Sequence, residues 1–235
     1  MKKFILGAVL LTMVMVSGIF AASSSSCDDY RNNKCYYNGD ISADYAYEFG
    51  KKSTSPFYDF SNLGVDCTNF ASQAILAGMT GITEPSDLKP KRYTYLADQN
   101  YVNLAWYYKT SSNRGSAWTG ADWMFKYAKS NKNSYKGLHF DFITKDSSST
   151  SLDVILVKKG DIIFADWEND GTIDHTMIVS QKYNCTSYSC IKVAYHNSAG
   201  NSMQKNRSLS SINTQYNYNA IFHIYRPTFY SDYGL

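Results

Sequence analysis

Two periodicities divide this chain, and they constrain its fold more than anything else in it. Up to about residue 130, outside a stretch over 80–103 that has no clean period and reads as loops with short helices, apolar residues recur at three- and four-residue steps; from Val154 they fall in short runs broken by Gly, Asn and Asp. The first pattern predicts helices over 42–52 (SADYAYEFGKK) and from Thr68, where Phe70, Ala71, Ala74, Ile75 and Ala77 share a face and Gly78 is the stop. A third helix opens at Thr119 or Asp122 and turns the aromatic side of Trp123, Met124, Tyr127 and Ala128 to the core. The second pattern predicts strands at 154–157, 161–164, 176–180, 191–196 and 220–225, after a polar connection over 145–153. Helices first and an antiparallel sheet after them make the fold α+β. At 235 residues and 44% hydrophobic, the chain can bury one core, and it carries no internal repeat.

The N-terminus reads differently. Two lysines precede an apolar run from Phe4 to Phe20 and then small residues, the layout of a secretory signal spanning about residues 1–22, with cleavage expected between Ser17 and Ser24. The competing reading, an uncleaved anchor, is disfavoured because the run is at the short end for a span and small residues follow at once. The expected mature chain, 23–235, is a single domain working outside the cytoplasm, secreted or periplasmic, with no membrane attachment. Losing Lys2 and Lys3 lowers the formal charge from +3 to +1, so no broad basic face for nucleic acid is expected. The 21 Tyr, 12 Phe and 4 Trp suit core packing first, and sugar stacking or an extended cleft second.

Five cysteines in an exported chain leave one over if the rest pair. Cys27 with Cys35, and Cys185 with Cys190 in NCTSYSC, each flank a short polar loop. Cys67 is then the odd thiol, either an inert buried residue or a used one. It falls where the second helix begins, with Asp66 or Thr68 as cap, and free N–H groups there favour a thiolate. A thiol nucleophile needs a base, and the base a group that holds its ring. His175 opens a strand straight after the acidic turn DWENDGTID. His196 and Asn197 end a later strand, and adjacent strand residues face opposite ways, so one of the two is the third residue. His139 and His223 read as packing or surface residues.

Four segments, DCTNFASQAILAG (66–78), WYYKTSSNRGSAWTGADWMFKY (106–127), GDIIFADWENDGTIDHTMIV (160–179) and AYHNSAGNSMQKNRSLSSI (194–212), resemble in order the bacterial putative amidase domain. That family looks papain-like and related to the cell-wall cysteine hydrolases, and the resemblance spans about 42–226. It implies Cys67 as nucleophile, His175 as base and His196 as third residue. Members usually follow that last histidine with Thr, and Asn197 stands there instead, so Asn197 remains the alternative. The implied chemistry is acyl transfer with no cofactor, the oxyanion resting on backbone N–H groups around Cys67. Asn62 and Asn69 are further donor candidates, although Asn69 is inside the helix and can instead tie it to a neighbouring loop; Gln73 has no assigned role.

The implied substrate is the peptide part of peptidoglycan, with an inhibitor or immunity protein as a further partner. Two other classes share the fold logic: a wall-binding module that no longer cuts, and a transpeptidase- or transglutaminase-like acyl-transfer enzyme. Asp166, Glu168, Asp170 and Asp174 approach a calcium loop with Gly171 sixth, but position twelve is Met177, which cannot supply a bidentate carboxylate. A turn built on Asn169, Asp170 and Gly171 is the favoured reading. Zinc is not expected, because no Cys or His pair outside the presumed disulfides has ligand spacing.

Overall fold

The computed structural model describes residues 37–64, 66–89, 105–130, 137–146, 151–197 and 203–230. The expected N-terminal signal and the expected Cys27–Cys35 pairing fall outside them. Asn38 begins the first helix, α1 (Gly39–Phe49): its Oδ1 accepts the N–H groups of Asp40 and Ile41, which sets the start three residues before the expected one. Helix α2 (Asp66–Thr80) is the centre of the molecule, with every residue from Asp66 to Met79 buried. One-turn helices α3 (Pro85–Leu88) and α4 (Ser116–Thr119) lead to α5 (Ala121–Ser130).

The strands are β1 (Gly137–Lys145), β2 (Ile162–Asp166), β3 (His175–Lys182), β4 (Ile191–Tyr195), β5 (Gln204–Ser208) and β6 (Ile221–Tyr230), with α6 (Leu209–Gln215) between the last two. They form one six-stranded sheet, order β1-β6-β2-β3-β4-β5, with every neighbouring pair antiparallel. The architecture is α+β, as the periodicities predict.

Alternation along the central strands builds a core on each face. Ile162, Phe164, Ile178 and Tyr225 meet Phe70, Ile75 and Leu76 of α2 and Met124 of α5. Ile163, Met177, Val179, Val193 and Phe222 meet Leu209 and Ile212 of α6 on the other side. Both faces of β2 are therefore covered, which is why its run IIFAD is buried throughout.

Four expectations change. Gly78 does not stop α2; a Cβ there would meet the Tyr37 ring at 2.6 Å, so it admits α1, and the chain turns out of the helix at Gly81, φ +74°. The run 154–157 is a turn-rich loop, not a strand, and drops Leu152, Val154 and Val157 into the second core. Trp123 is 41% exposed, with the Lys126 ammonium 5.0 Å from its ring, while Met124, Phe125, Tyr127 and Ala128 form the buried side of α5. The strands β1 and β5 and the helix α6 were not expected. Cys185 and Cys190 are bridged across the β3–β4 connection, Cα atoms 5.9 Å apart, as their spacing suggested.

Candidate active site

The polar residues of α2 should be a burden in so buried a helix, and they explain how it is placed. Asn69 donates to the Tyr58 carbonyl (3.1 Å) and to Asp66 (2.9 Å), and accepts from Trp118 Nε1 (2.9 Å). The Ser72 hydroxyl donates to the Trp118 carbonyl and accepts from Trp106 Nε1. Gln73 Oε1 accepts from the Tyr45 hydroxyl. Asn69 thus ties the helix to the preceding loop, and its donors are used, which removes it as an oxyanion donor. Asn62 lies exposed in a 3₁₀ turn (Ser61–Leu63).

The first turn of α2 enters the sheet where β3 and β4 end. Asp66 Oδ2 lies 2.7 Å from Nδ1 of His196, the residue after β4. Thr68 Oγ1 lies 2.9 Å from Thr176 Oγ1, on the second residue of β3. Cys67 sits between these two pins. It is the free cysteine among the described residues, and its Sγ has the Thr68 hydroxyl at 3.6 Å and the N–H groups of Thr68 and Thr176 directed at it. Asp66 does not cap α2; its carboxylate instead takes the Phe60 N–H (3.0 Å), the Asn69 amide and the His196 ring.

His175 opens β3, one residue before the N–H that faces the sulfur. Its cross-strand partner is Ala165, on the side of the sheet away from α2, and its ring lies 4.9 Å edge-on from Tyr195 and 5.6 Å in a stack from Trp167. Trp167 in turn stacks parallel on Tyr216 at 4.0 Å. Nε2 of His175 is buried with no hydrogen-bond partner among the described residues. The thiol and the imidazole therefore reach the same end of β3 from opposite sides, without a hydrogen bond between them in this state.

His196 does not orient His175. Nδ1 is taken by Asp66 and Nε2 lies 3.0 Å from the Phe49 carbonyl. Asn197 is half-buried beyond the end of β4. His139 is buried in β1, and His223 packs on Phe125, ring centroids 4.8 Å apart.

Electrostatics place Cys67 and His175 in their neutral forms. Burial pushes the Cys67 thiol up, outweighing the Thr68 hydroxyl and the two N–H groups, so the thiolate expected at a helix N-terminus is not the resting form. Burial likewise lowers His175 to about 4. For Asp66, burial acts upward, but the bond to His196, then its charge, the Phe60 N–H and Asn69 hold the carboxyl below its ordinary value.

The acidic turn is built as a turn. Asp166 accepts the N–H groups of Asp170 (3.1 Å) and Gly171 (2.8 Å), and Asp174 accepts that of Trp167 (2.8 Å). Asn169 and Gly171 take positive φ. Glu168 is exposed and its carboxyl is raised chiefly by Asp174. Among the described residues no three His, Cys, Asp or Glu side chains gather as a metal site.

Residues 36–225 match the profile of the putative amidase domain. The chain belongs to that family. The matched span takes in α1 through the middle of β6, hence the whole seam described above, and the family's activity at its coarsest is hydrolysis of an amide C–N bond. Searches of curated proteins and of solved structures returned no match.

Proposed function

We propose that this amidase-domain protein is a thiol hydrolase: Cys67 is the nucleophile and His175 the acid-base, acting on amide bonds in the peptides of peptidoglycan outside the cytoplasm. The observation that carries the reading is the unbridged sulfur pinned between the ends of β3 and β4, with two backbone N–H groups directed at it and an unpartnered imidazole nitrogen on the neighbouring residue. A buried ring nitrogen without a partner costs about 1–3 kcal/mol, and an orphan of this kind is expected where a proton is to be received.

In the reaction Sγ attacks the amide carbonyl while its proton passes to His175, a step that requires the opening residue of β3 to leave its place on the far face of the sheet and bring the ring to the Cys67 side. The oxyanion lies against the N–H groups of the α2 first turn. The protonated ring gives its proton to the departing amine, and the C–N bond breaks to leave a thioester on Cys67. Water, deprotonated by His175, then releases the acid and restores the thiol. In the resting state a neutral ring is ready to accept, which fits general-base activation better than a preformed thiolate–imidazolium pair.

Incubating purified peptidoglycan with the wild type and with Cys67→Ala, and weighing the released fragments, tests this. New amino groups without new reducing ends, from the wild type only, support amide cleavage. Identical fragments from both proteins would contradict it. Adding an amine nucleophile separates a hydrolase from an acyl-transfer enzyme, and a wall-binding module would bind without releasing anything.

A further inference from the structure

His196 is a buried ring with an unusual set of neighbours. Its side chain and that of Asp66 are each 2% exposed, so both ring nitrogens must find protein partners. Nδ1 faces a carboxylate oxygen at 2.7 Å. Nε2 faces, at 3.0 Å, the carbonyl of Phe49, the last residue of α1, which also accepts the Lys52 N–H. Beside an ionised carboxylate, both neighbours are acceptors. A neutral imidazole donates from one nitrogen only and would leave a lone pair against oxygen at the other.

Two further features favour a cation there. The helix C-terminus carries the negative end of the α1 dipole, which attracts a protonated ring. The Phe70 ring stacks on His196 at 4.0 Å and 14°, presenting its electron-rich face. Among the described residues, the neighbours that face the ring are Asp66 from α2, the Phe49 carbonyl from α1 and the Phe70 face from α2, all favouring positive charge.

We propose that His196 is a positioning residue, not a partner of the base: it is held as a two-donor imidazolium that clamps Asp66 to the end of α1 and so fixes the turn carrying Cys67 against the ends of β3 and β4. The clamp acts on the sulfur through the backbone of one residue. The catalytic consequence rests on the thiol-hydrolase reading; the protonation state does not.

The decisive measurement is the ¹⁵N NMR spectrum of the histidine side chains of the full chain at neutral pH, assigned with His196→Gln. Two protonated-type nitrogens for His196 in the wild type are expected, with one of them lost in Asp66→Asn. A wild-type ring with one bare nitrogen would overturn the proposal, whether or not an amide substrate has been found. For the positioning role, His196→Gln should lower kcat per folded molecule by on the order of 100-fold with KM nearly unchanged, the scale expected for an ångström of misplacement. Wild-type kcat in that variant would overturn the positioning role even if the ring proves doubly protonated. Failure of Cys67→Ala to abolish activity would instead remove the hydrolase reading and leave the NMR result standing.

Discussion

Cys67 and His175 are both held neutral by burial, and the pH behaviour of the protein follows from that. His175 titrates at about 4 when folded and near 6.5 when unfolded, so between those values the unfolded chain binds the extra proton. Stability should rise with pH through that window and fall as pH is lowered across it, by up to about 3 kcal/mol from this ring. Asp146 and Asp161, each pushed up to about 6 mainly by burial, have the opposite slope over roughly pH 4 to 6, so the comparison must be differential. His175→Gln should melt closer to the wild type as pH falls from 6.5 to 4, and overtake it once keeping the buried ring neutral costs more than its packing contributes. A difference in melting temperature that stays constant with pH would contradict the buried neutral ring. The free thiol was legible from cysteine arithmetic, and the position of His175 at the opening of a strand from the acidic turn before it. The direction of the thiol's shift was not, because desolvation depends on what α2 packs against. The role of His196 was hidden for the same reason: its partners lie 130 and 147 residues away in sequence.

At the scale of the element, α2 carries the candidate site; Asn69, Ser72 and the Gln73 oxygen are bonded within the fold, while Gln73 Nε2 has no partner among the described residues. Trp118 is fully buried, stacks among Trp106, Tyr108 and Phe57, and gives its Nε1–H to Asn69. Trp118→Phe keeps most of the packing and strands the Asn69 oxygen. The expected cost is about 1–3 kcal/mol, or a melting point lower by roughly 2–12 °C for a chain of this size, read by thermal denaturation. An unchanged melting point would mean that the bond does not anchor α2. The spacing of Phe70, Ala71, Ala74, Ile75 and Ala77 revealed the helix, but its true end lay at Gly81, where conformation and not close approach is the constraint. The strand β5 escaped notice because QKNRS has no buried face; pairing with β4 along the backbone is what holds it. The segment 154–157 looked like a strand because it is apolar, yet it is a loop that buries only Val154 and Val157 and leaves Ile155 and Leu156 exposed.

Across the whole molecule, a six-stranded sheet separates two cores, and one ion pair ties its middle together. Arg226 of β6 grips Asp161 with Nε at 2.8 Å and a terminal nitrogen at 2.9 Å, and reaches the Leu156 carbonyl. Asp161 is 1% exposed, so Arg226→Met leaves a buried carboxylate without its cation and should cost about 3–5 kcal/mol by denaturant titration. The pair Arg226→Met with Asp161→Asn should cost less than the sum of the two single changes, and a double-variant loss equal to that sum would show that the pair is not coupled. The class, α+β, was readable from the switch in periodicity alone. The strand order was not, because the pairing of β6 between β1 and β2 is a long-range choice with no local signature.

If Cys67 is the nucleophile, its sulfur must form a covalent bond to the acyl group during turnover. Acid-quenching the wild-type protein early in turnover of a peptidoglycan-derived peptide, followed by peptide mapping, measures this directly. The predicted result is an acyl mass on the peptide containing Cys67 and no turnover in Cys67→Ala. An acyl mass on another residue, or amide cleavage that persists in Cys67→Ala, would contradict it.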